Sequence, residues 1–269
     1  MVYEMDYQDY QKALQFDQRA STMEALQHLT WLLLDELDPQ EGEKVLDVGA
    51  GTGRLGIAMS NSVANGFVTG IDSGYGMLRV ARDKLVNHGI DNVLLVMGRA
   101  EALPILPQVF DSACLMFSFH HFSFPERAIA EIYRILKTKG HLVSVDPILK
   151  EPTDGEDERL NEIIEEAFQL AHGPDFRFFT TAELRGLFEN AGFSMETCET
   201  YDFPFHHDGG IQPIPMGSHW LQAYELLRFR QEDKLIRRFE ENYLVFREKD
   251  RKLQVKGKLS WVILKAVKV

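Results

Sequence analysis

Cysteine is scarce in this chain. Cys114 and Cys198 are its only two in 269 residues, and with no paired spacing they predict neither a zinc cluster nor a disulfide framework. A reducing, cytoplasmic setting is the expectation. Long apolar runs are missing as well. The longest, Val93 to Met97 and Trp261 to Leu264, fall far short of the roughly 20 residues that cross a bilayer, so no membrane span is expected. Positive charge is in deficit, with 29 Lys and Arg against 41 Asp and Glu and a formal net charge of −12. Nucleic-acid binding draws much of its affinity from cations placed on phosphates, so no nucleic-acid partner is expected. The cations Arg228, Arg230, Lys234, Arg237 and Arg238 are interleaved with acidic residues and read as a solvated helix face. The first residues, with Tyr3, Glu4, Asp6, Gln8 and Asp9, lack the basic and apolar pattern of a secretion signal. No internal repeat or low-complexity tract is present.

What the sequence does hold is an alternation of short apolar runs with helical patterns from about residue 44 to 147. Val45 to Val48, Phe67 to Ile71, Val93 to Met97, Phe110 to Phe117 and Leu142 to Val145 read as strands. Val93 to Met97 is apolar without alternation, as expected of a parallel strand covered on both faces. Between the strands lie helices over Leu55 to Met59, around Met77, Leu78, Ala81 and Leu85 with His88 and Gly89 closing, and from Ser123 as cap and Pro125 through Ile135 and Leu136. Lys137, Lys139 and Gly140 close the last of these. After Pro147 an acidic stretch leads into an amphipathic one with Leu160, Ile163, Ile164, Ala167 and Phe168. Thr180 and Glu183 form a capping-box pattern for a helix stopped at Gly192. Met195 to Tyr201 and Ser260 to Val267 read as the last two strands, joined by a long connection with a helical region from about Trp220 to Glu248.

The expected fold is therefore α/β: a doubly wound Rossmann-like sheet, mostly parallel with an antiparallel last strand, plus a helical lid. One domain over residues 1–269 is predicted. In it 1–40 supply N-terminal helices and 41–147 the cofactor-binding core. Residues 148–180 and 203–257 form lid insertions, and 181–202 and 258–269 complete the sheet.

Chemistry concentrates first in Val45-Leu46-Asp47-Val48-Gly49-Ala50-Gly51-Thr52-Gly53, a strand running into a glycine turn that opens a helix. Glycines permit turn dihedrals closed to other residues and let a ligand approach the backbone. Gly51, Gly53 and Gly56 also satisfy G-x-G-x-x-G, so the loop alone leaves a nicotinamide dinucleotide and a sulfonium cofactor both open. Asp72, followed by Ser73, closes the second strand where nucleoside-binding folds place a ribose carboxylate; a helix cap is the structural alternative.

From here the chain resembles class I methyltransferases similar to the ubiquinone and menaquinone biosynthesis C-methyltransferases. The resemblance covers roughly residues 40 to 147 and rests on an ordered set: Leu46 to Gly53, Gly70-Ile71-Asp72, Arg99-Ala100-Glu101-Ala102-Leu103-Pro104, Phe110-Asp111-Ser112, Phe117-Ser118-Phe119-His120-His121-Phe122, and Glu131 to Lys137 with Gly140. It implies S-adenosylmethionine as cofactor and S-adenosylhomocysteine as product. The turn formed by Gly49, Ala50, Gly51 and Gly53 would hold the methionine end with Asp47 nearby, Asp72 would hold the ribose, Met77 would pack on the adenine, and the Ala100–Glu101 backbone would meet the adenine edge. Arg99 stands where family members often carry Asp, and arginine has no acceptor for the adenine amine. That departure leaves open a modified cofactor or contacts through backbone alone.

Phe117 and Ser118 fall at the carboxyl end of the fourth strand, where open α/β sheets bind ligands. His120 and His121 follow as candidate bases toward an acceptor, with capping or cofactor contact as the structural alternative. Phe119, Phe122, Phe124, Phe176, Phe178, Phe179, Tyr201, Phe203, Phe205 and Trp220 suit an apolar or aromatic acceptor, about half of them serving as packing. His206, His207, Asp208 and His219 show no recognised ligand spacing and read as loop, so no metal is expected. The function expected is methyl transfer to a small, apolar or aromatic acceptor. A non-catalytic adenosyl-ligand binder and a nicotinamide oxidoreductase are the alternatives.

Overall fold

The computed structural model describes residues 6–269; Tyr3 and Glu4 of the acidic opening lie outside them. Two helices come first, α1 (Tyr10–Ser21) and α2 (Glu24–Leu37). The core then runs β1 (Lys44–Val48), α3 (Arg54–Met59), β2 (Phe67–Asp72), α4 (Tyr75–His88), β3 (Val93–Met97), β4 (Phe110–Met116), α5 (Pro125–Ile135) and β5 (Leu136–Pro147). The remainder comprises α6 (Gly155–His172), α7 (Thr181–Asn190), β6 (Phe193–Asp208), α8 (Gly217–Phe229), α9 (Asp233–Asn242), β7 (Leu244–Lys249) and β8 (Lys252–Lys268).

The strands form one sheet in the order β3-β2-β1-β4-β5-β8-β6, with β7 also on β8. β1 to β5 pair in parallel, and β8 runs antiparallel to β5, β6 and β7. The antiparallel last strand expected from the sequence is there. Strand order reverses between β1 and β4, the point at which doubly wound sheets open a crevice at their carboxyl edge.

Alternating side chains divide the core into two faces. Val45, Cys114, Val143, Val145 and Trp261 join Leu29, Leu33 and Leu37 of α2 on one face, and that cluster continues without a break into Phe168, Trp220 and Phe239 of α6, α8 and α9. Leu46, Leu115, Leu142 and Leu264 meet Ile129 and Ile132 of α5 and Leu184 and Phe188 of α7 on the other. Burial of each such side chain stabilises the fold by roughly 1.5–3 kcal/mol. Cys114 and Cys198 lie on β4 and β6 as free thiols.

Several boundaries differ from the sequence expectation, each for a physical reason. β3 is the edge strand of the sheet, so Leu94 and Met97 are exposed instead of covered. Ser123 does not cap α5, whose N-cap is Phe124; its hydroxyl donates to Asp175 at 2.7 Å and accepts from Arg99. Leu136 leaves the helix to pair with Phe110, so Lys137, Lys139 and Gly140 belong to the start of β5 and not to a helix end. The stretch from Trp220 to Glu248 is two helices and a strand, because β8 is long enough to recruit β7 beyond the core. Segment 203–257 thus contains strands as well as helices. The capping box of Thr180 and Glu183 forms as expected, and Gly192 takes φ +99° at the end of α7.

Residues from the matched motifs away from the loop act as staples. Asp111 accepts from the Lys44 N–H and the Lys137 ammonium, and Glu131 accepts from the Leu103 N–H and Arg134. The cations of α8 and α9 are not merely solvated. Arg230 pairs with Glu166, Lys234 with Glu156, and Arg238 with Asp154, Glu156 and Asp157, tying both helices to α6.

Candidate functional site

The crevice is built where β1, β2, β4 and β5 end. After Val48 the chain turns through Gly49 at φ +75° and Gly51 at φ +53°, dihedrals that L side chains rarely adopt. At Gly49 a Cβ would lie 2.4 Å from Cβ of Ser118, so only glycine lets this turn rest against the loop after β4. At Gly51 the nearest atom to an added Cβ is 4.0 Å away, so the inner side of the turn is open. Ala50 is buried behind the turn, and Gly53 caps α3 in the left-handed region.

Asp72 ends β2 facing this turn. Its carboxylate accepts from Gly51 N–H at 2.8 Å and from Gly74 N–H at 2.7 Å. Burial raises its pKa, and those two amides hold it down in part. Asp47 is 2% exposed and accepts weakly from the Cys114 thiol at 3.9 Å. Burial, then the charge of Asp72, pushes its pKa up to about 7. Two carboxylates that no cation bonds among the described residues suit a ligand that brings positive charge and hydroxyl donors; a dinucleotide pyrophosphate would place two further negative charges against them. By this chemistry the crevice fits a sulfonium nucleoside better than a nicotinamide dinucleotide.

Across the crevice, β4 ends at Met116 and the next residue, Phe117, takes φ +54°. A non-glycine residue there costs about 1–3 kcal/mol and persists only when its surroundings hold it. Phe117 N–H donates to Val145, and its ring lies 6.3 Å from that of Trp261. The next residues make a 3-10 turn, Phe119–His121. Asp146, buried at the end of β5, organises it: Oδ2 accepts from the N–H groups of Ser118 and Phe119 at 3.2 and 3.0 Å, and Oδ1 meets His120 Nδ1 at 2.5 Å. A carboxylate only accepts, so Nδ1 carries the hydrogen of this bond and Nε2 is the ring nitrogen turned away from Asp146.

His121 turns the other way, with Nε2 3.1 Å from the Tyr7 hydroxyl. Burial, reinforced by His120 and His172, lowers its pKa well below the ordinary value and keeps it neutral. Tyr7 belongs to a strap that crosses the crevice. Its carbonyl accepts from Met77 N–H, the Gln8 amide bonds Ser73 O and Tyr75 N–H, and α1 is pinned by Asp17, which accepts from Thr52 and Lys84.

Of the residues singled out from sequence, Asp47, Gly49, Ala50, Gly51, Gly53, Asp72, Ser73, Phe117, His120 and His121 converge on this crevice. Met77 is buried against Ala13 of α1 and beside Tyr7 and Tyr10. Ala100 is buried in the second core cluster, while exposed Arg99 turns to Glu101 and Ser123. His206, His207 and Asp208 lie on β6, not in a loop, and His219 lies on α8. Among the described residues no cluster of three or more His, Cys, Asp or Glu could hold a metal, and no helix is long and apolar enough to cross a membrane. Sequence reasoning missed Asp146 and Tyr7. Asp146 had a signal, an acid directly after a strand read as parallel; Tyr7 had none.

Comparisons with known proteins relate the chain to methyltransferases. Residues 45–140 match the methyltransferase domain family model. The chain is 27% identical over 181 residues to the uncharacterized methyltransferase YcgJ of Bacillus subtilis, covering 67% of this chain and 69% of that protein. It is 30% identical over 183 residues to the ubiquinone/menaquinone biosynthesis C-methyltransferase UbiE of Klebsiella pneumoniae, covering 62% and 73%. Against other curated relatives the match spans about half of their length. The crystal structure of YcgJ superposes with a TM-score of 0.71 at 22% identity, over 90% of this chain and 98% of that one, a likeness of fold.

Proposed function

Because the chain belongs to the class I S-adenosylmethionine-dependent methyltransferases, related to the quinone C-methyltransferases, we propose that it binds S-adenosylmethionine in the crevice between β1 and β4 and methylates a small, apolar or aromatic acceptor. The observation that carries this reading is a pair of carboxylates, buried Asp47 and half-buried Asp72, around an open glycine turn and opposite the Asp146–His120 pair. The turn from Gly49 to Gly53 takes the methionine end with Asp47 beneath it, Asp72 and Ser73 take the ribose, and Met77, Ala100 and Glu101 border the adenine. Arg99, paired with Glu101, leaves the adenine amine to backbone acceptors.

The cofactor supplies a methyl group on an electrophilic sulfonium, a good leaving group. Orientation of the acceptor against it is the main contribution to rate. Transfer to a protonated acceptor also releases a proton, and His120 Nε2, with its ring fixed by Asp146, receives it. Phe117, at the mouth of β4, lines the path. Segments 148–180 and 203–257 serve as the lid over one domain, and the acceptor is a small molecule in the cytoplasm, not a nucleic acid. Carbon of a quinone-type ring, as in the names of the related enzymes, heads the acceptors to be screened.

Calorimetry with S-adenosylmethionine, S-adenosylhomocysteine and NAD tests the cofactor assignment. Micromolar binding of both adenosyl ligands is expected; binding of NAD alone overturns the reading.

A further inference from the structure

The two edges of the sheet are built differently. At one end, β6 carries Glu196, Glu199, Asp202 and Pro204, the kinds of residue that keep an edge strand from pairing with another chain. At the other end, β3 reads Val93-Leu94-Leu95-Val96-Met97, with no charge, no proline and no bulge. Leu94 and Met97 are 52% and 64% exposed. Pairing with β2 fixes which backbone groups face out. Asn92 C=O accepts from Val68 N–H, and Gly98 N–H donates to Asp72 C=O. The even-numbered residues therefore turn to β2, while Val93, Leu95 and Met97 turn their N–H and C=O groups away from it. Such a row is a template for a further strand.

The residues of this edge select the strand that fits it. In an antiparallel pair, two residues facing each other through their outward groups exchange both backbone bonds. About a two-fold axis at Leu95, Leu95 meets Leu95 of a second copy and Val93 meets its Met97, so all three outward residues are bonded. An axis at any other residue of β3 leaves at least one of them opposite a residue outside the strand. Side chains match in the same register: Leu94 falls opposite Val96 of the second copy and Met97 opposite its Val93, which covers the two exposed apolar groups with apolar ones. Asp91 is carried toward Arg99 of the second copy, and Arg99 toward its Asp91. Asp91 is exposed and has no bonded partner among the described residues, and Arg99 uses only Nη2 within its own chain, on Glu101 and Ser123. An acid and a base equally far from Leu95 in sequence make the edge self-complementary, as an isologous two-fold contact requires.

We propose that the chain associates with a second copy of itself through β3, the two strands pairing antiparallel about Leu95 so that the two sheets become one. The proposal stands apart from the cofactor reading. Sedimentation velocity of the full chain up to about 100 µM is expected to show a dimer and nothing larger, because a two-fold contact closes on itself. Amide hydrogen exchange reports on the edge directly. The N–H groups of Val93, Leu95 and Met97 face away from β2, so protection at them is expected to rise with protein concentration. Leu94→Lys, at an exposed position, is expected to weaken association at least tenfold. Asp91→Arg and Arg99→Asp are each expected to weaken it roughly three- to tenfold, and the doubly reversed chain, D91R with R99D, to recover most of the loss, which a dimer formed through another surface would not do. A chain monomeric throughout that range, species larger than a dimer, or exchange at Leu95 as fast in concentrated as in dilute protein overturns the proposal. So does a dimer indifferent to Leu94→Lys, or a double reversal that associates no more tightly than the single ones. If Leu94→Lys unfolds the chain, exchange at Leu95 in the unaltered protein decides the matter.

Discussion

The two halves of the sheet handle buried polarity in opposite ways. In the parallel half, Asp47 and Asp72 sit near strand ends with no cation bonded to them among the described residues, and Phe117 holds a strained dihedral after β4. Among the elements after β5, Arg238 gathers Asp154, Glu156 and Asp157, and Arg247 meets Glu240; the buried nitrogens without a partner there, in His172, His219 and Trp220, are uncharged. Uncompensated charge destabilises a fold unless a ligand relieves it. The parallel half is therefore the part of the fold that a positively charged ligand would relieve.

The sharpest way to break that division is at its hinge, Asp146. Asp146→Asn removes the acceptor that fixes the His120 tautomer, and turnover is expected to fall roughly a hundredfold or more, while calorimetry finds S-adenosylhomocysteine binding unchanged. A parallel loss of cofactor affinity would move Asp146 from proton handling to cofactor binding. Next in size is Asp72→Ala, for which adenosyl-ligand affinity is expected to drop more than tenfold, the scale of losing strong hydrogen bonds to a buried ribose. Unchanged affinity would remove Asp72 from the site.

Asp47→Asn separates affinity from stability. Its folded pKa of about 7 lies above the ordinary 3.8, so the folded protein holds this proton longer than the unfolded chain does. The free protein consequently loses stability as pH rises from about 4 to about 7 and no further above that. Denaturant melts of Asp47→Asn should show that slope flattened and the free protein more stable at pH 8 by about 1–2 kcal/mol. The cationic ligand reverses the sign, because it favours the ionised carboxylate. Preference for S-adenosylmethionine over neutral-sulfur S-adenosylhomocysteine should thus increase as pH passes through about 7 in the unaltered protein and stay flat in the variant.

The parallel half was legible because its determinants are local. A strand, a glycine turn and a closing acid are contiguous in sequence, and β1, β2 and β4 end where the apolar runs end, within a residue. Asp146 could have been read from its position after Val145, but its partnership with His120 needed the parallel register of β4 and β5. The lid was legible only in pieces. Thr180 and Glu183 announced α7, whereas β7 forms because β8 extends past Trp261 to offer it an edge, a long-range pairing that residues 244–249 do not encode alone. Tyr7 and His172 illustrate the same limit, since each acquires its meaning from a ring more than 40 positions away.

The smallest expected effect lies in the lid's charges. Arg238 is partly exposed and bonds three carboxylates, so solvent screens each pair, and only their convergence on one guanidinium makes a measurable contribution. Arg238→Ala is expected to lower the thermal midpoint by about 2–4 °C, by loosening α9 from α6, while leaving adenosyl-ligand affinity in calorimetry where it was. If the variant instead weakened cofactor binding, the ion pairs of the lid would be coupled to the carboxylates of the crevice. The two halves would then share one electrostatic system.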